Sequence, residues 1–333
     1  MRQRPVKTES AEHPAVRAWA LLRATAPARP MPVQILQKRR KAVVYRLPGA
    51  GPDGRDVVAK RSSSERIRRE SLVYEHVLPA LPVPVGRYYG TLTEAGTDGA
   101  WLFVAHAGPV DYRPDFADHR AVAARWLALL HTSGASATPP AGLPERGPAH
   151  LLRELESARE ESLSHLGNPA LRPEDVGVLH ALVGQCELAA SRWAEVEEIC
   201  RLTPPTVVHG DFAPKNLRLD AARPEATLLP FDWAGAGWGT PAPDLPQLAA
   251  APSTYWASPD LDLYRARVAG SWPNLGREDV ERLALVGKLF RSVVCMRLEA
   301  TGLGTGWPEA AMKDMRLYRA DLDDVRAAAG WER

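Results

Sequence analysis

Two short apolar runs near the middle of the chain end in polar residues that suit phosphate chemistry. One run is VVHGD, which ends in Asp211 and is followed by Asn216 five residues later. The other run is LLPFD, which ends in Asp232. Phosphoryl transfer to a hydroxyl needs a group that orients the attacking hydroxyl, and it needs oxygen ligands that hold Mg²⁺. The two aspartates and the asparagine therefore fit phosphoryl transfer, in which one such group orients the hydroxyl and two hold Mg²⁺.

The composition is that of an ordinary folded protein with ample core. Of the 333 residues, 45% are hydrophobic and 25% are charged. A net charge of +2 gives no indication of a nucleic-acid or membrane surface as a partner. The three cysteines, at positions 186, 200 and 295, are widely spaced, which indicates reduced core thiols and neither a disulfide framework nor a zinc site.

The sequence carries no evident secretion or membrane segment, so we expect a cytoplasmic protein. The basic N-terminus, MRQRP, is not followed by the apolar stretch of a signal peptide. No run of ~18 apolar residues occurs in the chain. The length allows about two domains at roughly 150 residues each.

The elements that must position the polar groups begin with a β-rich region. Helical spacing over residues 13–26 predicts a leading helix. Two β-branched runs, at 43–47 and 56–61, flank a loop that contains Gly and Pro, which predicts a hairpin. A helix over about 65–78 and two further strands, at 86–90 and 101–104, complete a β-β-α-β-β pattern. This pattern predicts a small antiparallel sheet with one helix.

The remainder of the chain is mainly helical. From about residue 118 the apolar residues follow a helical spacing, which a Pro-rich loop at 139–148 and the two motif runs interrupt. Helices are predicted at about 150–165, 173–199, 259–269, 277–300 and 308–329. The composition changes after the last predicted strand, and we place a hinge at about 104–110. The chain is therefore predicted to divide into an N-terminal lobe of residues 1–104 and a C-terminal lobe of residues 105–333.

Three longer stretches carry a family resemblance. The stretch VVHGDFAPKNLRLD resembles the catalytic loop of the aminoglycoside phosphotransferase and choline kinase-like family. LLPFDWAGAGWGTPAPDL is similar to the family's metal-binding strand, and RRESLVYEHVLPALPVP resembles the helix after its nucleotide lysine. The resemblance extends from about Val43 to Leu245. It implies an α+β, two-lobed protein-kinase-like fold, with a small antiparallel β-sheet N-lobe that has one key helix and a larger, mainly α-helical C-lobe.

The resemblance also implies a role for each polar residue. Asp211 is expected to be the base or hydroxyl-orienting group, and Asn216 and Asp232 are expected to bind Mg²⁺. Lys60, on a strand, would hold the α- and β-phosphates of the nucleotide. Glu70, on the next helix, would fix this lysine by an ion pair.

The N-terminal lobe would bind the nucleotide, and the C-terminal lobe would carry catalysis and acceptor binding. The base of ATP or GTP is expected to meet the hinge backbone at Val104, Ala105 and Ala107. The segment Gln37–Lys41 stands where the family often has Gly or Ser, and the role of its basic run, Lys38–Lys41, stays open. His209 is expected to shape the catalytic loop through hydrogen bonds, and Asp244 is expected either to brace the loop or to cap a helix.

The acceptor is left open by the sequence. The resemblance implies a small molecule with a free hydroxyl, phosphorylated by ATP or GTP with Mg²⁺, and neither nucleic acid nor membrane as a partner. We expect a hydroxylated antibiotic or a related natural product, as for a resistance-type kinase. The alternative is a metabolic kinase for a sugar or an amino alcohol. A pseudokinase that only binds nucleotide or a partner is less consistent with the intact set of Lys60, Asp211, Asn216 and Asp232.

Overall fold

The structure is a computed structural model that describes residues 12–24, 31–39, 42–52, 54–220, 226–248, 256–257, 259–305 and 307–331. The described residues divide into two compact units. The first comprises residues up to Asp111 together with Asn216–Gly235. The second comprises Tyr112–Lys215 together with residues from Ala236 onward.

Helices and strands follow one another along the chain as three groups. The first group is α1 (Pro14–Leu22), β1 (Gln34–Arg39), β2 (Ala42–Leu47), β3 (Val57–Ser63), α2 (Ser64–Leu72), β4 (Tyr88–Thr93), β5 (Gly99–Ala105) and β6 (Val110–Asp111). The second group is α3 (Ala117–Ala135), β7 (Glu145–Arg146), α4 (Pro148–Ser164), α5 (Pro173–Ser191), α6 (Trp193–Cys200) and β8 (Thr206–Val208). The third group is β9 (Leu217–Asp220), β10 (Thr227–Pro230), β11 (Gly237–Gly239), β12 (Gln247–Leu248), β13 (Trp256–Ala257), α7 (Leu261–Val268), α8 (Arg277–Ala300) and α9 (Glu309–Ala328).

The first unit is built on a five-stranded antiparallel sheet with the order β1-β2-β3-β5-β4. The hairpin of β2 and β3 and the pair of β4 and β5 agree with the sequence prediction. The prediction of four strands was wrong in number, because the sheet has β1 as a fifth strand. The last residues of β1 are exposed, and the basic run begins there. Lys38 and Arg39 belong to β1, whereas Arg40 and Lys41 lie outside the described residues.

The core of the first unit lies between α1 and the sheet. Trp19 of α1 packs against Phe103 of β5 with ring centroids 5.3 Å apart, and its indole N–H donates to the carbonyl oxygen of Ala50 at 3.1 Å. Every residue of β5 is buried, because β3 and β4 cover its two edges, α1 packs on the sheet and α2 also contacts this strand. A second, three-stranded antiparallel sheet of this unit has the order β10-β9-β6.

The helix that follows β3 is shorter than predicted. The α-helix ends at Leu72, and the chain continues through a π-helical turn, Val73–Val77, and a 3₁₀ turn, Leu78–Ala80. Pro79 lacks the backbone N–H that an α-helix would need at this position, so this helical segment finishes in the 3₁₀ turn.

The second unit is mainly helical, with α8 packed against α4, α7, α9 and the 3₁₀ turn Ala242–Asp244. A predicted single helix over 173–199 is two helices, α5 and α6, which Arg192 separates. Strand β11 pairs in parallel with β7 and antiparallel with β8, and β12 pairs with β13. None of the helices in the described part of the chain combines the length and apolar character needed to span a membrane.

The cysteines are free thiols, as predicted. Cys186 and Cys200 are buried, and burial raises the pKa of their thiols to about 12 and about 11. Cys295, on α8, is half-buried.

Candidate active site

A buried lysine joins two carboxylates in the first unit. Lys60 of β3 is only 9% exposed, and its Nζ donates to Oε2 of Glu70 at 2.6 Å and to Oδ1 of Asp232 at 2.6 Å. Glu70 comes from α2 and is 2% exposed, whereas Asp232 follows β10. The structure therefore brings three of the predicted site residues together, from three separate segments of the chain.

The electrostatics of this cluster keep the lysine charged. Burial by itself favours the neutral amine, but the charges of Glu70 and Asp232 outweigh it and raise the pKa of Lys60 above its ordinary value. Burial raises the pKa of Glu70, and the charge of Lys60 opposes that rise. A protonated amine at this position is suited to bind phosphate oxygens.

Asp232 and Asn216 are the two predicted metal ligands, and both belong to the first unit. Asp232 has a left-handed backbone, with φ of +65°, and its side chain is 41% exposed. A non-glycine residue in this conformation costs about 1–3 kcal/mol, which is typical of functional sites. Asn216 is buried, and its backbone carbonyl oxygen accepts from the backbone amide of Phe231 at 3.0 Å. Phe231 directly precedes Asp232. One carboxylate and one amide are hard oxygen donors, so this pair fits Mg²⁺, which keeps several of its waters.

The predicted base-binding segment lies at the end of β5. The amide of Ala105 donates to the carbonyl oxygen of Arg87 at 2.7 Å, and the amide of His106 donates to that of Asp56 at 2.9 Å. Val104 and Ala105 are part of the strand, and Ala107 follows it. A nucleotide base would therefore have to use backbone groups of this segment other than these two amides.

Asp211 belongs to the second unit, in the loop after β8. Its Oδ1 accepts from Nη2 of Arg291 at 2.9 Å, and its Oδ2 forms an ion pair with Nζ of Lys215 at 3.0 Å. Burial favours the protonated acid, but the charges of Arg291 and Lys215 outweigh it and lower the pKa of Asp211 to about 2. Asp211 is therefore a carboxylate at neutral pH, able to accept a hydrogen bond from a hydroxyl.

The backbone of the same loop is held by Asp244. This fully buried carboxylate accepts from the amide of His209 at 2.6 Å through Oδ2 and from the amide of Gly210 at 2.8 Å through Oδ1. Nε2 of His131 lies 3.4 Å from Oδ2, and Nδ1 of His131 lies 2.9 Å from the hydroxyl of Tyr264. Asp244 thus acts on the loop through backbone groups, in agreement with the shaping role expected for it.

Arg291 is the residue that the sequence reasoning missed. It lies on α8, 80 residues beyond Asp211, and is 7% exposed. Its helix shows the expected apolar spacing, and no short motif surrounds the arginine. The one signal available in the sequence is a charged residue between apolar neighbours, in the letters LFRSVV.

A family model described as the phosphotransferase enzyme family matches residues 33–281. The chain belongs to this family. No curated protein gives a significant match to the sequence. The resemblance inferred from the motif stretches is confirmed, and so is the prediction of an enzyme that transfers phosphate to the hydroxyl of a small molecule.

Solved structures of several phosphotransferases are similar to this one in fold. A GDP complex of aminoglycoside 2'-phosphotransferase-IIIa has a TM-score of 0.61 at 13% identity, over 92% of this chain and 99% of that chain. A microcompartment-associated aminopropanol kinase has a TM-score of 0.58 at 16% identity, over 91% and 94% of the two chains. Choline kinase from Cryptosporidium parvum Iowa II has a TM-score of 0.58 at 10% identity, over 90% and 91%. The predicted protein-kinase-like fold class is therefore confirmed, whereas the roles of the site residues remain predictions.

Proposed function

We propose that this phosphotransferase uses ATP or GTP to phosphorylate a hydroxyl of an antibiotic or related natural product. One observation carries the donor half of the proposal, namely the position of the Lys60 Nζ 2.6 Å from both Glu70 and Asp232. A lysine fixed by a helix glutamate next to a strand-end aspartate is the arrangement that protein-kinase-like enzymes use for nucleotide phosphates.

On the donor side, Lys60 would bind the α- and β-phosphates, and Asn216 and Asp232 would hold Mg²⁺. The bound ion would supply positive charge that offsets the charge on the β- and γ-phosphate oxygens. The backbone near Val104 and Ala107 would meet the base. The GDP bound to aminoglycoside 2'-phosphotransferase-IIIa supports a nucleotide donor for this chain as well.

On the acceptor side, Asp211 would orient the hydroxyl and receive its proton. As the hydroxyl oxygen bonds to the γ-phosphorus, the bond from that phosphorus to the bridging oxygen breaks and the nucleoside diphosphate leaves. A carboxylate with a pKa of about 2 is a weak base, so the proton passes to it late in this step. Asp211 would therefore contribute mainly by alignment of the hydroxyl with the γ-phosphate.

A second acceptor class is an amino alcohol or a sugar. The similar folds of an aminopropanol kinase and a choline kinase support the amino alcohol, since both names describe kinases of such compounds. The two acceptor classes share the same donor chemistry, so only acceptor turnover separates them.

The test is an acceptor panel incubated with the purified protein, Mg²⁺, and either ATP or GTP. Hydroxylated antibiotics, sugars and amino alcohols are each examined by mass spectrometry for the addition of one phosphoryl group. The matched control is Asp211→Asn, which keeps the side-chain shape and should abolish turnover while nucleotide binding persists. Resistance of a sensitive host that expresses the protein would favour the antibiotic. Nucleotide binding without transfer to any class of acceptor would refute the proposal in favour of a pseudokinase.

A further inference from the structure

Helix α8 lies directly against the turn that holds the catalytic loop. A Cβ atom on Gly287 would collide with the carbonyl oxygen of Ala242, so the helix and the turn Ala242–Asp244 are in backbone contact. Asp244 of this turn accepts the amides of His209 and Gly210. The backbone of the loop is therefore fixed relative to α8.

Arg291 follows Gly287 by about one helical turn and reaches the same loop through a side chain. Its Nη2 donates to Oδ1 of Asp211 at 2.9 Å. One helix and one turn thus hold the loop at two points, with Asp244 on the backbone and Arg291 on the carboxylate. Both contacts lie within the second unit.

Stability alone gives a poor reason for an arginine at this position. Within the part of the chain that the structure describes, Asp211 is the one hydrogen-bond partner of the Arg291 side chain, and the buried Nε has none. Burial of a guanidinium with so few partners is costly, and an apolar residue of similar volume is often neutral or stabilising at such sites.

The two oxygens of Asp211 have unequal partners. Oδ1 is bound by Arg291, which is 7% exposed, whereas Oδ2 is bound by Lys215, whose side chain is 69% exposed. An exposed, flexible ammonium is readily exchanged for another donor, and a buried guanidinium is not. Oδ2 is therefore the oxygen that can turn to a substrate hydroxyl.

We propose that Arg291 is a positioning residue for phosphoryl transfer, which engages Oδ1 of Asp211 and so presents Oδ2 to the acceptor hydroxyl in one orientation. This inference rests on the proposed function of Asp211. It adds a residue from α8 to the reaction, and it assigns different tasks to the two cations beside Asp211. Arg291 fixes the carboxylate, and Lys215 yields its place when the acceptor binds.

The test compares three substitutions on α8. Arg291→Met removes the guanidinium and keeps most of the volume, and Arg291→Lys keeps the charge without the planar guanidinium that reaches Oδ1 of Asp211. The control is Arg297→Met, because Arg297 lies on the same helix and its Nε donates to Glu154 of α4 at 2.7 Å. Circular dichroism and thermal unfolding establish that each variant is folded.

Arg291→Met should lower kcat about 100-fold with little change in KM for either substrate, since misplaced catalytic groups cost about that factor. Arg291→Lys should recover part of the loss, and Arg297→Met should retain the wild-type kcat. If Arg291→Met does not fold, Arg291→Lys and Arg291→Gln take its place. A folded Arg291→Met with kcat within about twofold of wild type, or a loss that appears only in KM, would overturn the inference.

A crystallographic readout separates this inference from the proposed function. Asp211 should occupy one rotamer in the wild type and in Arg297→Met, and several in Arg291→Met. A wild-type protein without transfer to any acceptor would refute the proposed function, while the rotamers would still show whether Arg291 fixes Asp211. An unchanged single rotamer in Arg291→Met would overturn the positioning role, whatever the activity.

Discussion

Asp244 holds the loop that carries Asp211, because its fully buried carboxylate accepts the backbone amides of His209 and Gly210. Asp244→Ala would leave the amides of His209 and Gly210 without an acceptor. The unpaired amide of the buried His209 should cost about 1–3 kcal/mol and that of the half-buried Gly210 up to about as much again, so the variant should lose about 1–6 kcal/mol of stability. The contact to His131, at 3.4 Å, is long and adds little to this sum.

Asp244→Asn is the matched perturbation, because it has nearly the same shape. Its amide oxygen can still accept one backbone N–H, while its NH₂ group faces the other donor. One of the two amides therefore stays unpaired, and the loss should be about 1–3 kcal/mol. Asp260→Ala is the control in the same unit, since Asp260 caps α7 by accepting from the amide of Leu263 at 2.9 Å. Loss of such a cap costs about 1 kcal/mol.

Urea unfolding, followed by circular dichroism, measures these losses as shifts of the transition midpoint. Hydrogen exchange localises the effect, because the amides of His209 and Gly210 should exchange faster in Asp244→Ala than in Asp260→Ala. The expected order of stability loss is Asp244→Ala, then Asp244→Asn, then Asp260→Ala. A loss below about 1 kcal/mol in Asp244→Ala, with unchanged exchange of the two loop amides, would refute the reasoning.

Three further predictions concern other contacts. Gly287→Ala should destabilise the second unit by about 1–3 kcal/mol in urea unfolding and lower kcat, since the added methyl meets the Ala242 carbonyl; a variant as stable and active as wild type would contradict the close helix contact. Lys60→Met should raise the Kd of the nucleotide about 10–100-fold in calorimetry, because a charge-assisted bond to phosphate is lost; an unchanged Kd would remove Lys60 from the donor site. Hydrogen bonds from Arg61 lower the pKa of Glu94 from 4.5 to about 2, so Glu94 contributes stability above pH 4.5 that is lost as the pH falls toward 2. Glu94→Gln should therefore be less stable than wild type by less than about 1 kcal/mol at neutral pH, and the difference in urea midpoint should vanish near pH 2; a pH-independent difference would refute this assignment.

Local patterns were sufficient to predict much of the secondary structure. The two β-branched runs predicted β2 and β3, the strand that contains Lys60, and helical spacing predicted α8 and α9 within a few residues. The break between α5 and α6 at Arg192 was missed, because the spacing of apolar residues continues through it. Strand β1 was missed as well, since its second half is polar and exposed and resembles a solvated turn.

Local spacing was sufficient to predict the reaction type, because Asp211, Asn216 and Asp232 occur in short motifs. The other groups that contact these residues became evident from the tertiary structure. The segment Asn216–Gly235 belongs to the first unit, where Asp232 meets Lys60, although 172 residues separate the pair. Arg291 reaches Asp211 from a helix 80 residues away, and Asp244 holds the loop through backbone amides. Contacts of this kind depend on which helix faces pack together and on unpaired backbone donors, and neither property leaves a periodic or motif-like trace in a single sequence.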